Sequence, residues 1–442
     1  MLLIYVNCSK TGRLFSISDY GKIIGMKNDP GILIKGAVRF GEVVDVRIRD
    51  GLFSEISPNL SPLPDETVLE ARGMAIVPAF YNLHGHAAMS LMRGYADDME
   101  LFKWLNEYVW PFEAKMTGED IYNGTRLAIL EMIKSGTVHF EDMYWFPFDA
   151  ARAAKEMGIR ARIGLLTLSN NSNANKLNRE CLERIDEFRG RVKIAYSPHA
   201  VYTVNEKTLR EVVETSERFG LNIHIHCSET EKEVADCIGE HGLTPTAWLM
   251  KLGILRENTL LAHCVHLTDE DIDLIAESGS VAVHVPLSNL KLASGVFPYA
   301  RIKERGAKVA LGTDGCCSSN DLSMFGVMRG AAYLAKGFHN DTTIAPASEI
   351  FSFATRQGAL AAGVDGGFVE VGKAADCLLI NTDIPCLVPN YSLVSNLVYS
   401  ASPECVDTVI CDGRIIMKGR KVEGEEEIIA KARESVKRLA GR

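Results

Sequence analysis

Apolar positions recur along this chain in two patterns. Between residues 32 and 77 the chain reads as short strands broken by turns: Ile32-Leu33-Ile34, then Val43-Val44-Asp45-Val46-Arg47-Ile48, then Asp50-Gly51 as a hairpin signal. A similar block returns at the far end over 375–380, 406–410 and 414–417, with Asp412-Gly413 as its turn. Two β-rich ends around a different middle predict one small β-sandwich domain assembled from residues 1–75 and 371–442. Within the second segment, Ile428, Ile429, Ala432, Val436 and Leu439 fall at helical spacing and predict a docked amphipathic helix over 425–439.

The middle, residues 76–370, alternates short apolar runs with amphipathic helical stretches, which predicts βαβ units and a parallel sheet. The strands are expected at 75–83, 137–142, 161–168, 192–197, 222–227, 259–262, 281–285 and 309–312. Thr117-x-x-Asp120 and Thr268-x-x-Asp271 mark two helix starts. Eight strands make an α/β fold of the (β/α)8 TIM-barrel type, which takes about 250 residues. One barrel plus the β domain accounts for the 442 residues. An open doubly wound sheet is the alternative, but no GxGxxG follows the first strand to favour it.

Composition narrows the class without naming a chemistry. At 47% hydrophobic and 24% charged residues, the chain has ordinary globular make-up. A net charge of -9 with no long basic run argues against nucleic acid as a partner. Eleven cysteines, scattered apart from Cys316-Cys317, fit reduced thiols in a cytoplasmic protein, and none forms the CxxC pairs of a cysteine zinc site. The short apolar run at residues 1–7 has no basic start, so it is not read as a signal peptide. No stretch approaches the roughly 20 apolar residues of a membrane span, so no membrane partner is expected.

The histidines carry the chemistry. His84 and His86 end the first expected strand, His199 follows the fourth, His224 and His226 lie in the fifth, and His263 ends the sixth; Asp314 follows the eighth. In a barrel all strand ends open on one face, so these residues converge. The i, i+2 spacing of His84-Gly85-His86 points both imidazoles to one side, and with a third imidazole and a carboxylate they make a nitrogen-rich site suited to zinc. Of the fifth-strand pair, His226 lies nearer the mouth and is taken as the ligand, leaving His224 as a buried supporting group. Glu229 stands just beyond, placed to shuttle a proton, the plainer alternative being a first-turn glutamate that favours the helix dipole. His263 is assigned to the site and His266 to a loop or cap; His139, His241, His284 and His339 are taken as structural. His139-Phe140-Glu141 matches half of the HxE…PCxxC zinc-deaminase signature, but Pro385-Cys386 lacks the second cysteine.

The stretch Asn82-Leu83-His84-Gly85-His86-Ala87-Ala88-Met89, with Trp110-Pro111-Phe112-Glu113, Ser197-Pro198-His199, His226-Cys227-Ser228-Glu229, Ala262-His263-Cys264-Val265-His266, Ser288-Asn289-Leu290-Lys291 and Gly312-Thr313-Asp314-Gly315, resembles the amidohydrolase superfamily. Within it the chain is similar to the 5'-methylthioadenosine/S-adenosylhomocysteine deaminases, over about residues 32–420. The resemblance implies one divalent metal, zinc with Fe2+ or Mn2+ as alternatives, held by His84, His86, His226 and Asp314. It implies proton transfer by Glu229, His263 and Asp314, a ribose grip by Glu113, and substrate contacts by His199, Glu229 and Trp104. The reaction implied is hydrolytic deamination at C6 of adenosine or a 5'-modified adenosine, in a homo-oligomeric protein. Guanine- or triazine-type hydrolysis and a non-catalytic scaffold are the rivals.

Three departures stand out. The family's HTH or HSH is here HGH, and its Pro-Gly is Pro78-Ala79. Residues 1–28 precede the family's usual start, near Met26, and are either a β extension or an upstream start. The fourth strand ends in Ser197-Pro198-His199 rather than a metal-bridging lysine, which favours one metal. Members that use S-adenosylhomocysteine hold its carboxylate with two arginines, where an ungapped reading here gives Leu165 and Leu177. Adenosine, 5'-deoxyadenosine and 5'-methylthioadenosine are therefore expected to be preferred, unless a gap within 170–179 brings Lys176 or Arg179 into register.

Overall fold

The structure is a computed structural model and describes residues 30–257 and 259–441. The question of the first 28 residues lies outside the described residues.

Both chain ends meet in one sheet. From the N-terminal side come β1 (Gly31–Arg39), β2 (Glu42–Arg49), β3 (Leu52–Ser57), β4 (Glu66–Glu70) and β5 (Met74–Pro78). The middle supplies β6 (Phe80–Gly85), β7 (Thr137–Tyr144), β8 (Arg160–Thr167), β9 (Val192–Pro198), β10 (His224–Cys227), β11 (Leu260–His263), β12 (Val281–His284) and β13 (Lys308–Leu311). The C-terminal side adds β14 (Cys377–Asn381), β15 (Val406–Cys411) and β16 (Arg414–Met417). The terminal sheet runs β16-β15-β14-β5-β1-β2-β3, with β4 paired to β1. Two of its hairpin turns use the expected residues: Asp50-Gly51 and Asp412-Gly413 all have positive φ, the geometry that matches the strands' twist. Ile34, Val46, Ile48, Phe53, Ile76, Cys377 and Leu379 are among the residues of a separate apolar core beneath it. The expected first strand, 75–83, divides in two. Residues 74–78 pair with β14 and β1, and the strand of the central set starts only at Phe80.

The other seven expected strands all form, within two residues at either end. β6-β7-β8-β9 and β10-β11-β12-β13 are two four-stranded parallel sheets. A parallel bridge between Tyr196 and Ile223 links the first sheet to the second. On the other side, Thr313 and Asp314 donate backbone N–H bonds to the His84 carbonyl at 3.1 and 3.0 Å. That approach requires Gly312: a Cβ there would lie 2.8 Å from the His84 Cβ and 3.0 Å from its backbone nitrogen.

Helices follow the strands where the sequence signals place them. Thr117/Asp120 and Thr268/Asp271 both form complete capping boxes. The terminal helix Glu425–Leu439 packs on the helix Gly118–Lys134, where Asn123 donates to Ser435 at 3.2 Å and Arg438 pairs with Asp120. No helix among the described residues is long and apolar enough to cross a membrane.

Candidate active site

The functional side chains gather where the central strands end. His84 sits near the end of β6, with His86 one residue beyond it; His226 is the third residue of β10, His263 ends β11, and Asp314 lies three residues past β13. Ser228, His263, Cys264 and Asp314 all adopt positive φ, uncommon for residues with a side chain. Backbone strain of this kind, held at three strand ends around one pocket, aims side chains that regular geometry would not.

The hydrogen bonds fix which ring nitrogens face inward. His86 Nδ1 lies 2.7 Å from the Met143 carbonyl and His226 Nδ1 lies 2.7 Å from the His199 carbonyl. A carbonyl only accepts, so each Nδ1 carries a proton and each Nε2 faces inward, offering a lone pair whenever the ring is neutral. Those two Nε2 atoms stand 3.4 Å apart, and the Asp314 Oδ1 is 3.2 Å from His86 Nε2 and 3.5 Å from His84 Nε2. The His84 Nε2 has no hydrogen-bond partner although fully buried. Electron pairs converging this closely repel unless a cation or protons lie between them. The donor set is therefore that of a divalent-metal site: nitrogen-rich, with one carboxylate. His263 also converges with His84 and Asp314.

Electrostatics agree with the geometry. Burial pushes His84 down, to about 4, against the pull of Asp314. Burial acts the same way on His86, but Asp314 and the Met143 carbonyl outweigh it and hold it up at about 9. Burial opposes ionisation of Asp314, yet contacts with the two histidines keep it well below the carboxylate range. His199 is pushed down to about 3, first by burial and then by neighbouring histidine charge, so it is a neutral ring. Its Nδ1 contacts Thr203 Oγ1 at 2.9 Å.

Around this cluster stands a further layer, in which only His224 was expected from the sequence, as a buried supporting group. Asn289 Oδ1 lies 2.8 Å from His263 Nδ1, which leaves the His263 Nε2 lone pair pointing toward Glu229, whose Oε2 is 3.8 Å away. Ser288 and Ser318 hydroxyls donate to Asp314 Oδ2 at 2.5 and 2.8 Å, turning Oδ1 toward the histidines. His224 Nε2 meets His84 Nδ1 at 2.8 Å. Glu233 accepts the backbone N–H groups of Ser228 and Glu229 at 3.1 and 2.7 Å and so braces the turn that carries Glu229. Glu229 Oε1 also accepts from Ser294 at 3.2 Å. The Ser288-Asn289 motif was visible in the sequence, but nothing in its spacing says that it faces two different site residues.

The expected substrate residues share one cavity. His86, Trp104, Glu113, His199, His226, Glu229, His263 and Asp314 all line a space of about 80 Å3. Trp104 donates its indole N–H to the Ala96 carbonyl at 3.1 Å, so its ring edge is fixed. Burial raises Glu113, and hydrogen bonds from Tyr144 and Trp145 partly offset this. Leu165 is buried in β8 and does not line the cavity, whereas Leu177 lines an adjoining space; Lys176 and Arg179 are exposed. His266 bonds the Ser294 carbonyl at 2.6 Å, a loop role. His139 contacts Glu141 at 2.9 Å beneath the site.

Comparison with known proteins gives a consistent picture. Residues 75–416 match the amidohydrolase family. The chain is 43% identical over 404 residues to the 5'-deoxyadenosine deaminase of Methanothermobacter thermautotrophicus, covering 90% of this chain and 94% of that protein. It is 43% identical over 390 residues to 5-methylthioadenosine/S-adenosylhomocysteine deaminase 1 of Archaeoglobus fulgidus, covering 85% and 91%. Among solved structures it is similar to an adenosine deaminase from Xanthomonas campestris with bound zinc, with a TM-score of 0.88, 32% identity, and 94% and 99% of the two chains covered.

Proposed function

The chain belongs to the amidohydrolase family, and from that premise we propose that it hydrolytically deaminates adenosine or a 5'-modified adenosine, such as 5'-deoxyadenosine or 5'-methylthioadenosine, to the inosine analogue and ammonia. The observation that carries the proposal is the cluster in which Asp314 Oδ1 approaches the Nε2 atoms of His84 and His86 and His226 Nε2 approaches that of His86, with Glu229 and His263 on the same cavity wall. The relatives' names supply the substrate class.

We take the metal ligands to be His84, His86, His226 and Asp314, and the ion to be Zn2+, with Fe2+ or Mn2+ the alternatives; the two possible ligand groups, His84-His86-His226 and His84-His263-Asp314, share His84, which supports one site. When bound, the ion lowers the pKa of water to about 7 and so supplies a nucleophile at neutral pH. His263, its Nε2 free to accept because Nδ1 is committed to Asn289, takes the proton of the attacking water, and Asp314 Oδ1 is the other acceptor. Glu229 donates a proton to the purine ring nitrogen as C6 becomes tetrahedral, and His263 lies near enough to return one to the departing amine. Glu113 accepts from the ribose hydroxyls, and His199 and Trp104 close the wall against the nucleoside.

We read β6 to β13 as a (β/α)8 barrel spanning 76–370, supported by the Tyr196–Ile223 bridge and the His84 carbonyl contacts that join its two sheets. Residues 31–75 and 371–441 then form the small β-sandwich, supported by its separate apolar core. Self-association into a homo-oligomer fits the exposed Tyr333, Phe338 and Tyr391 side chains.

The test is ammonia release from adenosine, 5'-deoxyadenosine, 5'-methylthioadenosine, S-adenosylhomocysteine, guanine and a chlorotriazine under one condition. Turnover of one or more of the adenosine nucleosides above the last two supports the proposal. Preference for guanine or the triazine overturns it.

A further inference from the structure

The stretch Ser288-Asn289-Leu290-Lys291-Leu292 holds one polar residue beyond the two that support Asp314 and His263. The Lys291 ammonium donates to Asp97 Oδ1 at 2.5 Å, to the Cys317 carbonyl at 3.2 Å and to Asn320 Oδ1. Asp97 belongs to the segment after β6, whereas Cys317 and Asn320 belong to the loop after β13 that also carries Asp314 and Ser318. One cation therefore joins three loops at the mouth of the strands, and Leu292 beside it lines the cavity.

The segment held through Asp97, residues 95–112, supplies a large part of the cavity wall. Leu101, Trp104, Leu105, Val109 and Trp110 all line the inner space, and Glu113 follows directly. They lie on three short helices, Leu101–Trp104, Leu105–Val109 and Trp110–Glu113, that pack on one another. The middle one is a π-helical turn, a form common at functional sites. The segment is tied mainly to itself. The Tyr95 and Phe112 rings meet at 4.7 Å, Trp104 donates to the Ala96 carbonyl, and the Glu100 carboxylate accepts the Phe102 and Lys103 N–H groups at 3.0 and 3.1 Å. Among the described residues, the only hydrogen bond or ion pair from 95–112 to a distant part of the chain is the one between Asp97 and Lys291. Beyond it, the Phe102 ring touches Tyr202 and Lys232. Gly94 and Asp98, flanking Asp97, are both left-handed, with φ of 66° and 59°, and a Cβ at Gly94 would meet nothing within 4 Å. A wall piece with its own packing, sharp bends at one end and a single polar tether can swing as a unit when the tether parts.

We propose that Lys291 is a positioning residue for substrate binding: it latches residues 95–112, as a lid, against the loop that carries Asp314, and the lid opens to admit and release the ligand. The latch is a property of the fold; that the ligand is a nucleoside rests on the functional reading above. The two side chains of the pair are 28% and 38% exposed, so water can replace each partner and the latch can break and re-form during turnover.

The experiment measures amide hydrogen exchange on the metal-loaded protein without substrate, and steady-state kinetics with 5'-deoxyadenosine, for wild type, Lys291→Met, Lys291→Arg and Asp97→Asn. Lys291→Met should speed exchange across residues 99–112 about 5–50-fold, the range left to charge-assisted contacts after discounting their exposure, while β6 to β13 exchange as in wild type. KM should rise with the open fraction and kcat should change less, because bound substrate itself favours closure. Asp97→Asn, which keeps the shape and removes the charge, should show the same pattern at about 2–5-fold, and Lys291→Arg should recover most of the loss. Wild-type exchange over 99–112 in both Lys291→Met and Asp97→Asn overturns the inference. Faster exchange spread evenly over the barrel strands also overturns it, because Lys291 is then a general stabiliser. Faster exchange confined to 99–112 with KM unchanged overturns the lid, since substrate then has no need of closure. If Lys291→Met does not fold, Asp97→Asn decides. Failure of the wild type to deaminate any adenosine nucleoside overturns the functional reading, and the exchange measurements still decide the latch.

Discussion

Replacing Asn289 with alanine removes one hydrogen bond from a side chain assigned no chemical step, yet it should slow the reaction. Asn289 Oδ1 is 2.8 Å from His263 Nδ1, both groups are buried, and this contact keeps the proton on Nδ1 and the lone pair on Nε2. Without it, the opposite tautomer becomes favourable, because an Nε2–H can turn toward Glu229 Oε2, 3.8 Å away, while an Nδ1–H would be buried without a partner. An orphaned buried donor costs about 1–3 kcal/mol, so the productive tautomer should fall about 5–150-fold, and kcat with it. KM should change less, since Asn289 does not line the cavity. Asn289→Asp keeps an acceptor at the same place and should recover part of the loss. The assay is steady-state ammonia release across pH, with metal content and melting temperature measured on each variant. Wild-type kcat in Asn289→Ala would refute the reasoning. Equal loss in the alanine and aspartate variants would assign Asn289 to packing alone.

Three other substitutions separate chemistry, binding and stability. Glu229→Gln should retain fold and metal but lose about 10²–10⁴-fold in kcat, because glutamine keeps the shape and cannot carry the proton; unchanged kcat removes Glu229 from the mechanism. Glu113→Gln should raise KM for ribosides and spare analogues lacking ribose hydroxyls, and equal effects on both classes would show that Glu113 does not grip the ribose. Asp376 is fully buried and accepts from Tyr81 at 2.6 Å, Arg160 at 3.0 Å and the Asp412 backbone at 2.6 Å. Asp376→Ala removes the acceptor of the buried Tyr81 hydroxyl and leaves Arg160 paired with Asp412 alone, so it should cost about 1–3 kcal/mol in denaturant unfolding while leaving kcat of the folded protein unchanged, and no measurable loss would contradict this.

The strands were legible because their signal is local. A run such as Val281-Ala282-Val283, set between Gly279-Ser280 and Pro286, is apolar and bounded by turn residues, so its position needs no tertiary information. The break at Pro78-Ala79 was not, because residues 75–83 are continuously apolar and only their pairing partners, β14 and β7, assign them to different sheets. The clustering of the residues proposed as metal ligands was legible for a related reason: parallel strands bring their ends to one face, so position in sequence predicts position in space. Asn289, Ser288, Ser318 and Glu233 were not. Each acts through hydrogen bonds to another element or turn, and neither periodicity nor residue type announces which side chain will be within reach. Leu165 shows the limit of register arguments: one residue of alternation along β8 separates it from Leu166, which lines the cavity.

The central claim is that one metal, held by His84, His86, His226 and Asp314, makes this chain a deaminase. The measurement that tests it most directly is titration of Zn2+ into chelator-treated protein while ammonia release from 5'-deoxyadenosine is followed. Activity should be absent at the start, rise linearly and saturate at one equivalent per chain, and the His84→Ala, His86→Ala double variant should neither bind the ion tightly nor recover turnover. Full activity in the chelated protein, saturation only at two equivalents, or a double variant that binds and turns over normally would contradict it.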